Sequence, residues 1–267
     1  MSDNPSTLEE EMRLSEARQK EIEEEIKKSA LTSPLESVTQ LRAQYKDASN
    51  FLTGVDALEK EHDHIRIIRG DGNCYYRAFL YRLVETLLQG KNQAESQRIL
   101  EYCKTTSWEQ VKKAGYEEMT IEVFYEELVE LMEDLVAGKI DADTLHAKLN
   151  EENSTSDYAT WYMRVVTATH LKNDPDRFLP FIMAENPGMD IPTFCQRFVE
   201  PMGKECEQVQ VLALAEAFGV QVQIEYLDGH ALSGGKLARH TFGPENALTT
   251  ICVLYRPGHY DIIYPKE

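Results

Sequence analysis

The chain has 267 residues, 42% hydrophobic and 9% aromatic, which is enough apolar material for one sizeable core and too much for a disordered chain. Forty-six Asp and Glu against 28 Lys and Arg leave a net charge of −18, which excludes a uniformly basic nucleic-acid groove and suits a basic partner or substrate segment. The N-terminus carries no apolar signal core, no apolar run is long enough for a membrane span, and the five cysteines are odd in number with no Cys-x-x-Cys pair. A reducing compartment is therefore expected, the cytoplasm with the nucleus as a further option, and neither a disulfide framework nor a zinc ribbon.

In chain order, residues 1–31 are expected to form a separate helical arm. Ser6-Thr7-Leu8-Glu9 can open a helix as a capping box, and the stretch to Lys28 is dense in Glu, Lys, Arg and Gln. Ile22 and Ile26 share a face at i, i+4. That stripe is too thin to hold a core-facing helix, so the arm is either solvated or docked on a partner. Residues 32–267 are expected to form the body. Ser33-Pro34-Leu35-Glu36 reads as a second helix start, continued by Leu35, Val38, Leu41 and Tyr45, and another helix covers Phe51 to His62. Ile65–Ile68 reads as a short strand and Arg69–Asn73 as a turn. From Cys74 the period is helical, with Tyr75, Ala78, Phe79, Leu83 and Leu87 recurring every three or four residues.

Residues 92–172 read as mostly helical, in segments Gln93–Lys104, Trp108–Ala114, Ile121–Val136 and Asp157–Leu171. Cys206–Phe218 is a further helix, ended by Gly219. Val220, Val222, Ile224 and Tyr226 alternate with polar residues, as in a strand with one face exposed. Asp228–Gly243 is a Gly-rich loop holding a short strand at His240–Phe242, and Ile251–Tyr255 and Tyr260–Tyr264 are strands. The order predicts an α/β (α+β) domain with a small central sheet flanked by helices.

Two segments carry chemistry. Asp71-Gly72-Asn73-Cys74 ends a turn and opens a helix. A helix N-terminus or a neighbouring imidazolium lowers a thiol from about 8.5 to roughly 3.5–7.5, and the unpaired N–H groups of the turn suit an oxyanion. Far downstream, His259 follows a Pro-Gly turn and starts a strand, where Asp261 at i+2 shares its face. Asp261 can then hold one ring nitrogen while the other faces the thiol, which is the logic of a nucleophile–base–orienter triad. Taken singly, each segment is better read as structure: a buried cysteine after a Gly turn, and a rim histidine beside a capping Asp. His62-x-His64 lacks a third ligand and reads as a solvated turn, so no metal and no cofactor is expected. Cys103, Cys195, Cys206 and Cys252 read as packing residues.

Taken together, the segments resemble a known family. Gly70-Asp71-Gly72-Asn73-Cys74-Tyr75-Tyr76-Arg77-Ala78-Phe79 is similar to the cysteine motif of the ovarian-tumour (OTU) proteases, and Tyr255-Arg256-Pro257-Gly258-His259-Tyr260-Asp261 to their histidine motif in its otubain form. Ser154–Tyr158, Val199–Met202 and Ile224–Asp228 also resemble otubains. The resemblance implies a papain-like deubiquitinase with nucleophile Cys74, general base and acid His259, orienting Asp261, and Asp71 in the oxyanion-side loop. It also implies polyubiquitin linked through lysine 48 of ubiquitin as substrate. The arm, through Ile22 and Ile26, is implied to bind the ubiquitin on the leaving side or to inhibit a ubiquitin-conjugating enzyme without catalysis. Tyr226 and Phe242 are candidate ubiquitin contacts, with internal packing as their competing role. One place departs from the pattern: Glu207-Gln208 stands where otubains carry an Asp-His pair.

Overall fold

A computed structural model of the chain describes residues 13, 14, 17, 18, 20, 21 and 24–266. Its centre is a six-stranded sheet of order β1-β2-β6-β5-β3-β4, with β1 Glu36–Ser37, β2 His62–Arg66, β3 Gln221–Tyr226, β4 Ala238–Phe242, β5 Thr250–Arg256 and β6 His259–Pro265. β6 pairs antiparallel with β2 and β5, and β3 pairs parallel with β5.

Both faces of this sheet are covered, and the side chains sort by the strand's period of two. Val222, Ile224, Ile251, Val253, Tyr260 and Ile262 enter the larger core. Ile65, Cys252, Leu254 and Ile263 enter a smaller core on the other face, closed by Val55 and Leu58 of helix α2, Ser49–Glu61, which follows the short α1, Leu41–Gln44. This two-sided burial is why β5 reads Ile-Cys-Val-Leu without polar alternation.

The larger core is built on α3, Cys74–Gly90, 12 of whose 17 residues are buried. Around it stand α4, Gln93–Glu101, a π-helical turn over 102–107 that leads into α5, Trp108–Lys113, and the long α6, Glu118–Val136. Then follow α7, Ala142–Lys148, and α8, Thr155–Asn173. A satellite core joins α8 to α9, Pro175–Glu185, to α10, Ile191–Phe194, and to α11, Gln208–Phe218. The left-handed Gly219 ends α11 at φ +63°, as a C-terminal glycine does.

The mixed fold with its small central sheet agrees with the sequence expectation; several elements differ. Ser33-Pro34 does not open a helix. The Ser33 hydroxyl accepts from the Ile67 N–H at 2.9 Å, and the Ser33 N–H donates to the Ile67 carbonyl at 2.8 Å. These contacts spread the segment along the chain after β2, leave Leu35 46% exposed, and delay the helix to Leu41. The strand expected at 65–68 runs from His62 to Arg66. His62-x-His64 therefore lies in β2 rather than in a solvated turn, and His62 is buried. Helices α9 and α10 carry no expectation from the sequence, and α7 falls within the stretch read as mostly helical but without bounds of its own; α7 and α10 have only 7 and 4 residues, too few for a clear period.

Candidate active site

Cys74 is the first residue of α3 and is 3% exposed. The turn before it has room for nothing larger than glycine at position 72. Gly72 sits at φ +78°, and a Cβ there would lie 2.2 Å from the Gly203 carbonyl oxygen. So the 70–73 loop and the 201–206 loop touch backbone to backbone.

Two buried arginines lock this arrangement. Arg77, one turn along α3 and 1% exposed, reaches Asp71 with both ends of its fork, at 3.0 and 2.9 Å, and Asp157 of α8 at 3.1 Å. Burial disfavours the Asp71 carboxylate, but the Arg77 fork outweighs it and holds Asp71 below its ordinary range. Asp71 also caps the Asn73 N–H at 3.0 Å. Arg164 of α8 is wholly buried and donates to four acceptors: the carbonyls of Gly72 (2.8 Å), Val199 (3.0 Å) and Lys204 (2.7 Å), and Asn73 Oδ1 (2.8 Å). Its guanidinium lies over the Tyr76 ring, 4.4 Å from the centroid. Asn73 Oδ1 also accepts from the Gly203 N–H at 2.9 Å. The otubain-like segments around residues 154–158 and 199–202 therefore supply the scaffold of the Cys74 loop: Asp157 holds Arg77, and the Val199 carbonyl holds Arg164.

The second half of the site lies on β6. His259 Nε2 is 2.9 Å from Asp261 Oδ1, which leaves Nδ1 for the Cys74 thiol. Burial lowers the imidazole, but the Asp261 bond and then the Cys74 thiol raise it, to about 9. The imidazole is therefore positively charged at neutral pH, beside a thiol that stands at a helix N-terminus. Asp261 has no exposed surface. Its Oδ1 also accepts from the Ile68 N–H at 2.9 Å, and its Oδ2 from Arg256 Nε at 2.8 Å and from Arg256 Nη2.

Beside Cys74 opens a cleft of about 390 Å³ lined by Glu185, Glu205, Glu207, Asp228, Tyr226 and Tyr260, among others. Among the described residues no Lys or Arg lines it. Burial, and then the neighbouring Glu185 carboxyl, push Glu207 up to about 7. Cys206 also lines the cleft, whereas Cys103, Cys195 and Cys252 do not; all four are buried, and burial raises each thiol.

Of the residues singled out from the sequence, the fold gathers Cys74, His259, Asp261 and Asp71 around one point. Tyr226 is 9% exposed, lines the cleft and accepts from Gln208 Nε2 at 3.3 Å. Phe242 does not join it. The register pairs Phe242 with Val222 and Tyr226 with Ala238, which puts Phe242 four residues away, roughly 13 Å along the strand, half-buried against the larger core. Ile26 is half-buried and lines a separate cavity of about 530 Å³ with Gly70, Asp71 and Gly72. Ile22 lies outside the described residues. The roles of Arg77, Arg164 and Arg256 emerge only in the folded chain. One signal is present for two of them: Arg77 and Arg164 interrupt apolar or aromatic runs, as in Tyr162-Met163-Arg164-Val165-Val166, where a solvated arginine has no place.

Comparison with known proteins agrees with this geometry. The family described as Peptidase C65 Otubain matches residues 24–265. Ubiquitin thioesterase OTUB1 of Homo sapiens is 36% identical over 253 residues, covering 93% of this chain and 88% of that protein. The ovarian tumor domain-containing deubiquitinating enzyme 1 of Arabidopsis thaliana is 33% identical over 261 residues, covering 91% and 84%. Among solved structures, a complex of OTUB1 with ubiquitin aldehyde and ubiquitin-charged UBCH5B superposes with a TM-score of 0.85 at 29% identity, over 96% of this chain and 98% of that one. The chain belongs to the otubain family of thiol-dependent deubiquitinating peptidases.

Proposed function

We propose that this otubain hydrolyses the isopeptide bond between the C-terminal glycine of ubiquitin and a lysine side chain. The observation that carries the reading is the locked imidazole: Asp261 occupies Nε2 of His259 and leaves Nδ1 to Cys74. The thiolate of Cys74 attacks the glycine carbonyl, and the oxyanion faces the N–H groups at the start of α3. The His259 imidazolium protonates the leaving lysine amine as the C–N bond breaks. Neutral His259 then takes a proton from water, which attacks the thioester and frees the glycine carboxylate and the thiol. Asp71 acts by fixing the loop backbone through Arg77 and Asn73. The acidic cleft suits a basic tail ending in small residues.

A ubiquitin probe with a C-terminal electrophile tests this. It is expected to label the wild type stoichiometrically and to leave Cys74→Ala unlabelled. Labelling that persists in Cys74→Ala, or a wild type that stays unlabelled, would overturn it. Chains joined through lysine 48 are the proposed preferred substrate, and the cavity beside Ile26 and the Gly70–Gly72 loop is a seat for the leaving-side ubiquitin. Cleavage rates on di-ubiquitins of each linkage decide the preference. Equal rates on all linkages would sink it.

One observation favours a second activity, inhibition of ubiquitin-conjugating enzymes: solved structures with TM-score 0.85 to this chain are OTUB1 complexes with ubiquitin-charged UBC13 and UBCH5B. The test is truncation of the arm. The cut belongs before residue 24, because the Lys27 and Ser29 carbonyls accept from Arg69 and the Leu31 carbonyl from the Arg69 N–H. Loss of conjugating-enzyme binding with retained probe labelling is the expected result; retained binding would overturn the role of the arm.

A further inference from the structure

The Asp261 carboxylate is divided between two cations. His259 holds Oδ1 at 2.9 Å, and Arg256, from the last position of β5, holds Oδ2 through Nε at 2.8 Å and through Nη2. The Ile68 N–H fills the remaining site on Oδ1 at 2.9 Å, so the carboxylate cannot turn. Arg256 is itself 7% exposed and is anchored by Gln44 Oε1, 2.9 Å from Nη1. Resting on the assignment of His259 as base, we propose that Arg256 is a positioning residue that shares Asp261 with His259 and so sets the upper pH limit of the active thiolate–imidazolium pair.

The physical case has two parts. The Ile68 N–H, 2.9 Å from Oδ1, keeps that oxygen aimed at His259, and Arg256 narrows the remaining motion of the carboxylate by placing two charged donors on the far oxygen. The same guanidinium is also a permanent positive charge on the far side of the group that stabilises the imidazolium. It therefore weakens that stabilisation. The other charged or titratable groups facing this centre are Cys74 from α3, Tyr260 beside His259 on β6, Cys206 and Glu207 on the cleft side of Cys74, Tyr45 after α1, and Glu205, whose carboxylate lies against Gly258. Among the described residues, Arg256 is the only permanent cation bonded to Asp261. It is not a catalytic residue, since it reaches the reacting atoms only through Asp261.

The test is the pH profile of kcat/KM on a fluorogenic ubiquitin substrate for the full chain, with Arg256→Gln and Arg256→Lys. Removing a permanent cation makes protons harder to lose. The alkaline limb of the Arg256→Gln profile is expected to move to higher pH by about one unit. Arg256→Lys, which keeps the charge and loses the fork, is expected to keep the limb within roughly 0.3 unit of wild type, with a reduced maximum. A merely structural arginine predicts the opposite sign: Asp261 would swing away from His259 and the alkaline limb would fall. That acid-ward shift, or no shift, in Arg256→Gln overturns the proposal. Should Arg256→Gln fail to fold, an acid-ward limb in Arg256→Lys overturns it and an unmoved limb supports it. Probe labelling of the wild type reads the His259 assignment separately, so that failure of that assignment and failure of this proposal are distinguishable.

Discussion

The two walls that meet at Cys74 handle charge in opposite ways. On the loop wall, the Asp71 and Asp157 carboxylates are bound by Arg77, and three loop carbonyls are bound by Arg164. On the cleft wall, Glu185, Glu205, Glu207 and Asp228 stand without an arginine or lysine among the lining residues, and Glu207 rises to about 7 because burial and Glu185 disfavour its charge. A buried cation bound to several acceptors fixes geometry. A carboxylate left without a cation costs stability and leaves an attraction for an incoming one. The loop wall is therefore built for precision and the cleft wall for recognition.

The largest expected effect that tests this contrast is on the loop wall. Arg164→Met should deprive three carbonyls of the arginine's N–H groups, leave Asn73 Oδ1 with the Gly203 N–H as its remaining donor, and cost about 3–5 kcal/mol, read as a fall in thermal midpoint, with probe labelling slowed even where the protein remains folded. Wild-type labelling kinetics in that variant would show that the loop does not depend on its arginine. Next is the base. His259 is raised to about 9, so its contribution to stability is complete below its unfolded value near 6.5 and is lost as pH rises through 9. Wild-type stability should fall by at most about 3 kcal/mol across that window, and a His259→Ala chain should lose much of that fall. Denaturant melts at pH 6.5 and 9.5 compare the two. Asp71 has the opposite sign: its carboxylate is held low, so its contribution is present at neutral pH and lost only in acid, as pH falls below about 3.8. Asp71→Asn should therefore narrow the gap between melts at pH 6 and pH 3.

On the cleft wall the effects are smaller and fall on binding. Glu207→Gln should raise KM for a ubiquitin substrate roughly 2- to 5-fold with kcat nearly unchanged, while raising the melting temperature above pH 7, where the wild type must ionise a half-buried carboxyl. In the wild type KM should fall as pH rises through about 7, because a cationic tail must displace the Glu207 proton; a pH-independent KM would break the recognition half of the comparison. The smallest effect is expected at Phe242. It lies at the far end of β4 from the cleft wall, so Phe242→Ala should leave KM within twofold and cost about 1–2 kcal/mol of stability.

The amino-acid order alone carried the elements with strong periodicity or punctuation. The alternation before Tyr226 gave β3, Gly219 stopped α11, and the Pro-Gly turn placed His259 and Asp261 on one face of a strand. It misread Ser33-Pro34, whose helix-starting grammar is local, while the Ser33 hydroxyl and backbone bond Ile67, 34 positions away. It misread His62 for the same reason: a polar residue in a polar stretch becomes buried only when β2 pairs with β6.

The candidate site divides along that line. Cys74, His259 and Asp261 were legible because a turn-then-helix start and an i, i+2 pair are short-range signals, and because both motifs resemble one family. The three arginines that hold those residues in place were not. Each is polar in sequence and buried in the fold, and its partners lie at separations from 5 residues, Arg256 to Asp261, to 212, Arg256 to Gln44. Composition and period determined which side chains could do the chemistry. Only the closing of β6 between β2 and β5, and of α8 beneath the Cys74 loop, decided which charges are neutralised and which remain free. A buried charge is stable only where its partners converge, and such convergence belongs to the tertiary structure.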